Sequence, residues 1–260
     1  MHEAISDKTH AQKEAFGEFC LRAIGGGSLQ GAHLFRSCEL SHIDNTEALF
    51  LVNELGISSI YDIRNQWEVA AHAQPYLVGT KTIALEPSCE HHKKDANKRL
   101  VAGVIESYGK PEERMKRNYR RYVREYPLIG TALRSIATEG VNALVHCVNG
   151  KDRTGVLCAV LLRAAGLHPD DVMDDYLKTN TVNKLRIAQE AENLSPNMTS
   201  YEKEILMSFL EARPAYLQAF FDEVDESFGS FDNYIQNELH LNSTHISRLQ
   251  MLLLRSEVSR

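Results

Sequence analysis

Long apolar runs are missing from this chain of 260 residues. No stretch reaches the roughly 20 apolar residues that a membrane-spanning helix needs, so we predict no integral membrane segment. Residues 1–16 are polar and of mixed charge, unlike a secretory signal peptide. We therefore expect a cytoplasmic protein, and export by a route that needs no signal peptide stays open.

Cysteine is also scarce, with five residues that show no paired spacing. This argues against a disulfide framework and for a reducing compartment. The net charge of −6 argues against nucleic acid as a partner. Cys89, His91 and His92 cluster in sequence, but a metal site needs three or four ligands with suitable geometry. We expect no metal and no organic cofactor, and the composition leaves the oligomeric state open.

One segment carries the chemistry: His146–Gly155, which reads His-Cys-Val-Asn-Gly-Lys-Asp-Arg-Thr-Gly. An apolar run at 141–145 precedes it and another at 156–165 follows it, which predicts a strand, a tight loop and a helix. The loop amides and the helix dipole then converge on one point and favour an anion there. That field favours the thiolate form of Cys147, and the planar fork of Arg153 can hold two phosphate oxygens. These groups suit phosphoryl transfer through a phosphocysteine.

Two other interpretations of the segment are weaker. Most lone cysteines at strand ends are buried and inert, but an inert Cys147 would leave the spacing of the Gly, Lys, Arg and Thr residues unexplained. A nucleoside triphosphate-binding P-loop is excluded, because Lys151 is followed by Asp152 and not by Ser or Thr, and the earlier Gly is missing.

The order His-Cys, five residues, Arg and Thr resembles the loop of the protein tyrosine phosphatase superfamily. The flanking Gly-Lys-Asp-Arg-Thr-Gly resembles its bacterial and fungal tyrosine phosphatase family. The resemblance implies activity on phosphotyrosine, phosphoserine or phosphothreonine proteins, or on phosphoinositides. It implies that Cys147 attacks phosphorus, that Thr154 can hydrogen-bond the thiolate, and that His146 supports the loop. Phosphate would be held by Val148, Asn149, Gly150, Lys151, Asp152 and Arg153.

The general acid is less obvious, because the Trp-Pro-Asp motif of many tyrosine phosphatases is missing. Trp67, the one tryptophan, is followed by Glu68 and Val69. We predict that Asp152, inside the loop, is the acid, as in lipid phosphatases that place an Asp before the loop Arg. Asp62 is the second candidate.

Lys151 resembles the lysine at the same place in the phosphatase and tensin homologue, which implies inositol phosphates as possible ligands. Asn149 replaces the small Ala that is usual in relatives, and we expect its amide to fill space. A phosphate-binding module without activity is the non-enzyme alternative. Such a module usually lacks the loop Cys or Arg, and neither Cys147 nor Arg153 is replaced.

The pattern of elements predicts an α/β layered fold with a mostly parallel central sheet. Strands are expected at 33–37, 57–63, 82–85 and 141–147. Helices are expected at 41–55, 100–108, 111–126, 128–139, 156–165 and 170–179. We predict a single phosphatase domain over 1–260, in which residues 19–180 form the catalytic core, about 90–126 form a helical lid, and 181–260 add C-terminal helices.

Three further groups of residues stand at positions that suggest a role near the loop or in the fold. Asp62 and Arg64 end a strand, where they either form a local salt bridge or approach Cys147. Arg22, with the glycines that follow it, matches a family segment that we interpret as structural. The helix at 111–126 has an aromatic face and an arginine stripe (Arg114, Arg117, Arg121 and Arg124). By resemblance it caps the cleft, and its arginines are expected to add to the field there.

Overall fold

The computed structural model describes residues 19–85, 111–194 and 198–254. Three predictions lie outside these residues: the leading segment 1–18, the helix at 100–108, and the cluster of Cys89, His91 and His92. Most of the predicted lid lies outside them too.

Strands and helices alternate through the first half of the chain. In order they are β1 (Arg22–Ala23), β2 (Leu34–Ser37), α1 (Asn45–Leu49, continued by a π-helical turn, Phe50–Glu54), β3 (Ser59–Asp62), α2 (Gln66–Ala71) and β4 (Lys81–Ala84).

The second described part is mainly helical around one strand. It contains α3 (Pro111–Glu125), α4 (Leu128–Glu139), β5 (Ala143–His146), α5 (Asp152–Ala164), α6 (Pro169–Val182), α7 (Lys184–Leu194), α8 (Ser200–Leu210), α9 (Pro214–Phe228), α10 (Phe231–Asn233, continued by a π-helical turn, Tyr234–Glu238) and α11 (Ser243–Leu254). None of the described helices is long and apolar enough to cross a membrane.

The five strands form one sheet in the order β1-β2-β5-β3-β4. All neighbours are parallel except β1, which is antiparallel to β2. This confirms the mixed α/β architecture with a mostly parallel sheet. Ser37 and Asp62 both pair with His146, so three strands end at one level. In such sheets the crevice beyond the carboxyl ends of the strands is where ligands bind.

The central strand β5 is buried on both faces of the sheet. Val145 points into the larger core with α4 and α5, and Leu144 points into a smaller core that includes Phe35 and Ile60. Successive side chains of a strand alternate between faces, and a strand covered on both sides is apolar throughout. The apolar run that leads into the loop therefore follows from its central position.

Helix boundaries follow the local sequence. Asp44 and Glu47 form a capping box that starts α1, with the amide of Glu47 donating to Asp44 Oδ1 at 2.8 Å. Gly140 ends α4 in the left-handed region at φ 63°. The predicted helix at 156–165 begins four residues earlier, at Asp152. The first turn of α5 is therefore made by loop residues, which brings the helix N-terminus to the loop itself.

Candidate active site

The loop joins the central strand to α5 and begins at Cys147. This cysteine is a free thiol, 2% exposed, at the carboxyl end of β5. Gly150 adopts φ +58°, and a Cβ there would lie 2.4 Å from the carbonyl oxygen of Ser37. Only glycine fits both the left-handed backbone and this close approach. The loop is thus pressed against the end of β2.

A buried ionic network holds the loop from behind. Arg36 on β2 donates from Nη2 to the carbonyl of Gly150 at 2.8 Å and from Nη1 to Asp175 Oδ2 at 3.0 Å. Arg22 contacts the other oxygen of Asp175 at 2.5 Å. Burial alone would raise the pKa of Asp175, but the charges of Arg36 and Arg22 outweigh it and lower the pKa. The prediction that Arg22 has a structural role is confirmed.

Arg153 lies in the first turn of α5 and is bound by a carboxylate of α2. Its Nη1 and Nη2 donate to Glu68 Oε2 and Oε1 at 2.5 and 2.7 Å. Burial lowers the pKa of the guanidinium, but the thiolate charge of Cys147 and the bond to Glu68 raise it well above its ordinary value. Paired Arg–carboxylate bonds of this kind fix the orientation of the guanidinium. Arg153 is therefore charged and held in place beside Cys147.

Asp152 faces α3 from the first turn of α5. The hydroxyl of Tyr119 donates to Asp152 Oδ1 at 2.8 Å. The side chain of Asp152 is 25% exposed, so solvent and substrate can reach it. The role of Asp152 in proton transfer stays a prediction.

Lys151 occupies a different place from the one expected of a substrate-binding cation. It is 1% exposed, and its ammonium donates to the carbonyl of Phe209 and, at 3.3 Å, to that of Glu211. These carbonyls lie at the C-terminal end of α8, where a helix leaves such groups unpaired and favours a cation. The predicted contact of Lys151 with substrate has no support from this position, and we assign it a capping role.

Asp62 and Arg64 form the local salt bridge that was predicted. Arg64 Nη2 lies 2.8 Å from Asp62 Oδ2, and both side chains are buried. Burial would raise the pKa of Asp62, but hydrogen bonds from Arg64 outweigh it and lower the pKa. Arg64 also reaches Glu39 at 3.0 Å. A buried, ionised and fully paired carboxylate is a poor proton donor, which argues against Asp62 as the acid.

His146 directly precedes Cys147, and Thr154 directly follows Arg153. His146 Nε2 lies 2.8 Å from Gln74 Oε1, and its Nδ1 lies 3.2 Å from the carbonyl of Cys147. Burial lowers the pKa of His146, which favours the neutral ring, and the support of the loop by this residue stays a prediction. The hydroxyl of Thr154 is buried and makes no hydrogen bond to any described residue. Its predicted bond to the thiolate is therefore not formed in this conformation.

The remaining loop residues are also tied down. The carbonyl of Val148 accepts from the amide of Glu39 at 3.0 Å. Asn149 accepts from Arg186 Nε at its Oδ1, at 3.2 Å, and from Asn183 Nδ2 at its carbonyl, at 2.8 Å. The amide of Asn149 thus joins the loop to α7, a contact that goes beyond the space filling expected for it.

The class of this site follows from the similarity of the chain to known proteins. A family model described as the tyrosine phosphatase family matches residues 20–255. This chain belongs to the tyrosine phosphatase family. It is similar to the triple specificity protein phosphatase PtpB of Mycobacterium tuberculosis, with 29% identity over 257 residues that cover 87% of this chain and 92% of that protein. It is also similar to a predicted tyrosine-protein phosphatase of Cupriavidus necator, with 26% identity over 235 residues, covering 85% and 80%.

In this phosphatase the aromatic face of α3, not its arginine stripe, turns to the catalytic loop. Arg114 and Arg124 stack on rings of the C-terminal helices, at 5.7 Å from Phe209 and 5.1 Å from Phe228. Arg121 pairs with Glu125 on its own helix at 2.5 Å. Cation–π contacts and a local ion pair thus engage these three arginines, and their contribution to the field at the loop stays a prediction.

Sequence reasoning missed three groups of the phosphatase site. Glu68 of α2 and Tyr119 of α3 contact the loop residues Arg153 and Asp152, and Asp175 of α6 acts on the loop indirectly, through Arg36. Glu68 was partly indicated by the sequence, because it directly follows Trp67, the only tryptophan, where a Trp-Pro-Asp motif would have stood. Nothing in the local sequence of Tyr119 or Asp175 marks these contacts, because their partners lie on elements that are distant in the chain. Among the described residues, no group of three or more His, Cys, Asp or Glu could hold a metal ion.

Proposed function

We propose that this phosphatase hydrolyses phosphomonoesters of proteins through a phosphocysteine at Cys147. The observation that carries the proposal is the placement of Cys147 between the central strand and the N-terminus of α5, with Arg153 charged and oriented in its first turn. A thiolate, convergent backbone amides and an oriented guanidinium are the parts that phosphoryl transfer needs.

In the first step, the sulfur of Cys147 attacks phosphorus and the bond to the leaving oxygen breaks. Arg153 and the backbone amides of 148–153 hold the equatorial oxygens, whose charge is neutralised without any movement of the loop. Asp152 supplies a proton to the leaving oxygen. In the second step, water attacks phosphorus, the S–P bond breaks, and Asp152 takes a proton from the water.

Thr154 supports the second step. Its hydroxyl is buried directly after Arg153 and has no hydrogen-bond partner among the described residues. A buried hydroxyl without a partner costs free energy, and a small rotation toward the leaving thiolate of Cys147 would satisfy it. That bond would stabilise the thiolate when phosphate departs.

The substrate class is phosphotyrosine proteins, extended to phosphoserine and phosphothreonine. Support comes from the family and from the similar Mycobacterium tuberculosis protein, which is named a triple specificity phosphatase. Phosphoinositides are the second candidate. One observation favours them: Arg186 places a second, partly exposed cation 3.2 Å from Asn149 of the loop. It pairs with Glu39 at 3.6 Å, and another phosphate of the same ligand would compete with that carboxylate for it.

The test compares wild type with Cys147→Ser in hydrolysis of p-nitrophenyl phosphate. We expect the variant to lose all measurable turnover, and mass spectrometry of acid-quenched wild type to find phosphate on Cys147. Activity that survives the substitution contradicts the mechanism. Inactive wild type that still binds phosphate would support the non-enzyme alternative, a phosphate-binding module. Kinetics across phosphopeptides and phosphoinositides then rank the two substrate classes.

A further inference from the structure

Two buried tyrosine hydroxyls lead to the carboxylate of Asp152. The hydroxyl of Tyr119 on α3 lies 2.8 Å from Asp152 Oδ1 and 2.7 Å from the hydroxyl of Tyr176 on α6. Tyr119 is 0% and Tyr176 is 1% exposed. Helix α3 thus contacts the carboxylate on α5 directly, and α6 is connected to it through Tyr119.

The direction of these hydrogen bonds is fixed by proton count. An ionised Asp152 can only accept, so the single proton of Tyr119 goes to Oδ1 and Tyr176 donates to Tyr119. Burial raises the pKa of both tyrosines well above its ordinary value of 10, and the negative charge of Asp152 adds to the effect. Both therefore keep their protons and act as donors, from Tyr176 to Tyr119 to Asp152.

The two oxygens of Asp152 are not equivalent. Lys151 Nζ also lies nearest to Oδ1, at 3.4 Å. Within the part of the chain that the structure describes, the hydrogen bond from Tyr119 is the only one given to this carboxylate, and it goes to Oδ1. Oδ2 is then the oxygen that can carry a proton to or from the substrate.

We infer that Tyr119 is a positioning residue, which holds Oδ1 of Asp152 so that Oδ2 faces the leaving oxygen. The inference rests on the proposed role of Asp152 as the general acid. When the S–P bond forms and the P–O bond breaks, the proton on Oδ2 passes to the leaving oxygen. When water attacks and the S–P bond breaks, a proton of that water returns to Oδ2. Tyr119 donates to Oδ1 in the ionised state and transfers no proton itself.

Several charged or titratable groups share the surroundings of Asp152 and would influence its ionisation. Lys151 precedes it and Arg153 follows it in the loop. The tyrosines that sense its charge from the helices packed around it are Tyr119 and Tyr122 of α3, Tyr176 of α6 and Tyr216 of α9. Of these, Tyr119 alone donates directly to the carboxylate in a described contact.

The decisive variant is Tyr119→Phe, measured as kcat against pH with an alkyl phosphate and with p-nitrophenyl phosphate. The substitution removes the one hydrogen bond that a described residue donates to the ionised carboxylate of Asp152. We expect the alkaline limb of the kcat profile to move up by roughly one pH unit. Loss of orientation should lower kcat roughly tenfold for the alkyl phosphate and less for the aryl phosphate, whose leaving group needs little protonation.

Three further variants distinguish a positioning role of Tyr119 from a general effect of losing a buried hydroxyl. Tyr234→Phe is the matched control, because it removes a buried hydroxyl that has no partner among the described residues. Asp152→Asn tests the acid itself and should be selectively slow with alkyl phosphates. In the double variant, Tyr119→Phe should add nothing to Asp152→Asn, since the two act as a unit.

Each outcome has a separate meaning. The inference is supported if Tyr119→Phe moves the alkaline limb of the kcat profile, slows the alkyl phosphate more than the aryl phosphate, and adds nothing to Asp152→Asn in the double variant. If Asp152→Asn behaves as expected but Tyr119→Phe matches Tyr234→Phe, the positioning role is overturned and the proposed acid stands. If Tyr119→Phe lowers kcat equally for both substrates and leaves the alkaline limb in place, Tyr119 has only a structural role and the inference is overturned. If Asp152→Asn loses aryl and alkyl activity equally, the acid role and the inference fail together, while phosphocysteine formation at Cys147 is unaffected.

Discussion

At the scale of single residues, the site depends on charges that are paired before substrate arrives. Arg153 is held by both oxygens of Glu68, and one of these, Oε2, also accepts from the amide of Asn65 at 2.7 Å. Pairing removes the rotational freedom of a long side chain in advance, so less entropy is lost when phosphate binds. The guanidinium keeps further N–H donors for the phosphate, since it carries five.

Gly150 and Gly140 have nearly the same positive φ, but only Gly150 lies against another part of the backbone. Substituting each one therefore distinguishes the effect of backbone strain from the effect of a steric clash. Gly150 has φ +58° and Gly140 has φ +63°, but a Cβ at Gly140 meets nothing within 4 Å, whereas one at Gly150 overlaps Ser37. We expect Gly140→Ala to cost about 1 kcal/mol of stability and to leave activity intact. Gly150→Ala should displace the loop and lower kcat/KM by roughly 100-fold or more.

Unfolding in urea and steady-state kinetics on both variants check this prediction. If Gly150→Ala keeps wild-type kcat/KM, the loop is not pressed against β2 as described. If Gly140→Ala loses activity as well, the loss reflects general destabilisation and not the contact with Ser37.

At the scale of elements, Asp175 links α6 to β1 and β2 through two buried arginines. Asp175→Asn would leave Arg22 and Arg36 without their carboxylate partner in the interior, so it should lower the free energy of unfolding by about 3 to 5 kcal/mol. The pKa of Asp175 is depressed below its ordinary value of 3.8. Its contribution is therefore complete above that pH and is lost as pH falls through the lower, folded value.

The matching measurement is urea unfolding of wild type and Asp175→Asn at neutral pH and below pH 3.8. We expect a large difference at neutral pH that narrows in acid. Asp222→Asn, on an exposed position of α9, is the control and should change stability little at either pH. A difference that stays constant with pH would mean that the carboxylate charge is not what stabilises this junction.

The elements themselves were largely predictable, because their signals are local. Capping residues, prolines, terminal glycines and apolar periodicity gave β5, α3, α4 and α6 to within a few residues. The start of α5 was not predictable from its apolar run, since Asp152 and Arg153 become helical through loop geometry and not through propensity. Contacts such as Glu68 with Arg153 join residues 85 apart in sequence. No local pattern contains such a pairing, so the sequence suggests Cys147 as the nucleophile but does not indicate the groups that hold the loop.

At the scale of the whole molecule, the C-terminal helices are part of the site and not an appendage. Lys151 caps α8, Asn149 is bound from α7, and α3 packs against α9. The single domain over 1–260 predicted from the sequence stays a prediction, and these contacts favour it. They also explain why the lysine of the loop was assigned to substrate: its partners lie about 60 residues away.

Lys151→Met tests this coupling, because methionine keeps the length of the side chain and removes the donors. We expect the free energy of unfolding to fall by about 1 to 3 kcal/mol, with faster hydrogen exchange at the end of α8. The ratio of kcat/KM for phosphoinositides to that for phosphotyrosine peptides should stay unchanged. Lys203→Met, exposed on the same helix, is the control. A selective loss of phosphoinositide activity would restore the substrate contact that the sequence suggested.

The capping of α8 by Lys151 also bears on how the protein is made. A ribosome releases the chain from its N-terminus, so the strand, the loop and α5 emerge well before the carbonyls of Phe209 and Glu211 that bind the lysine. Domains generally fold as units during synthesis. A nascent chain that ends before residue 209 therefore lacks both carbonyls that bind the ammonium of Lys151. Full phosphatase activity should appear only late in translation, after the C-terminal helices have docked.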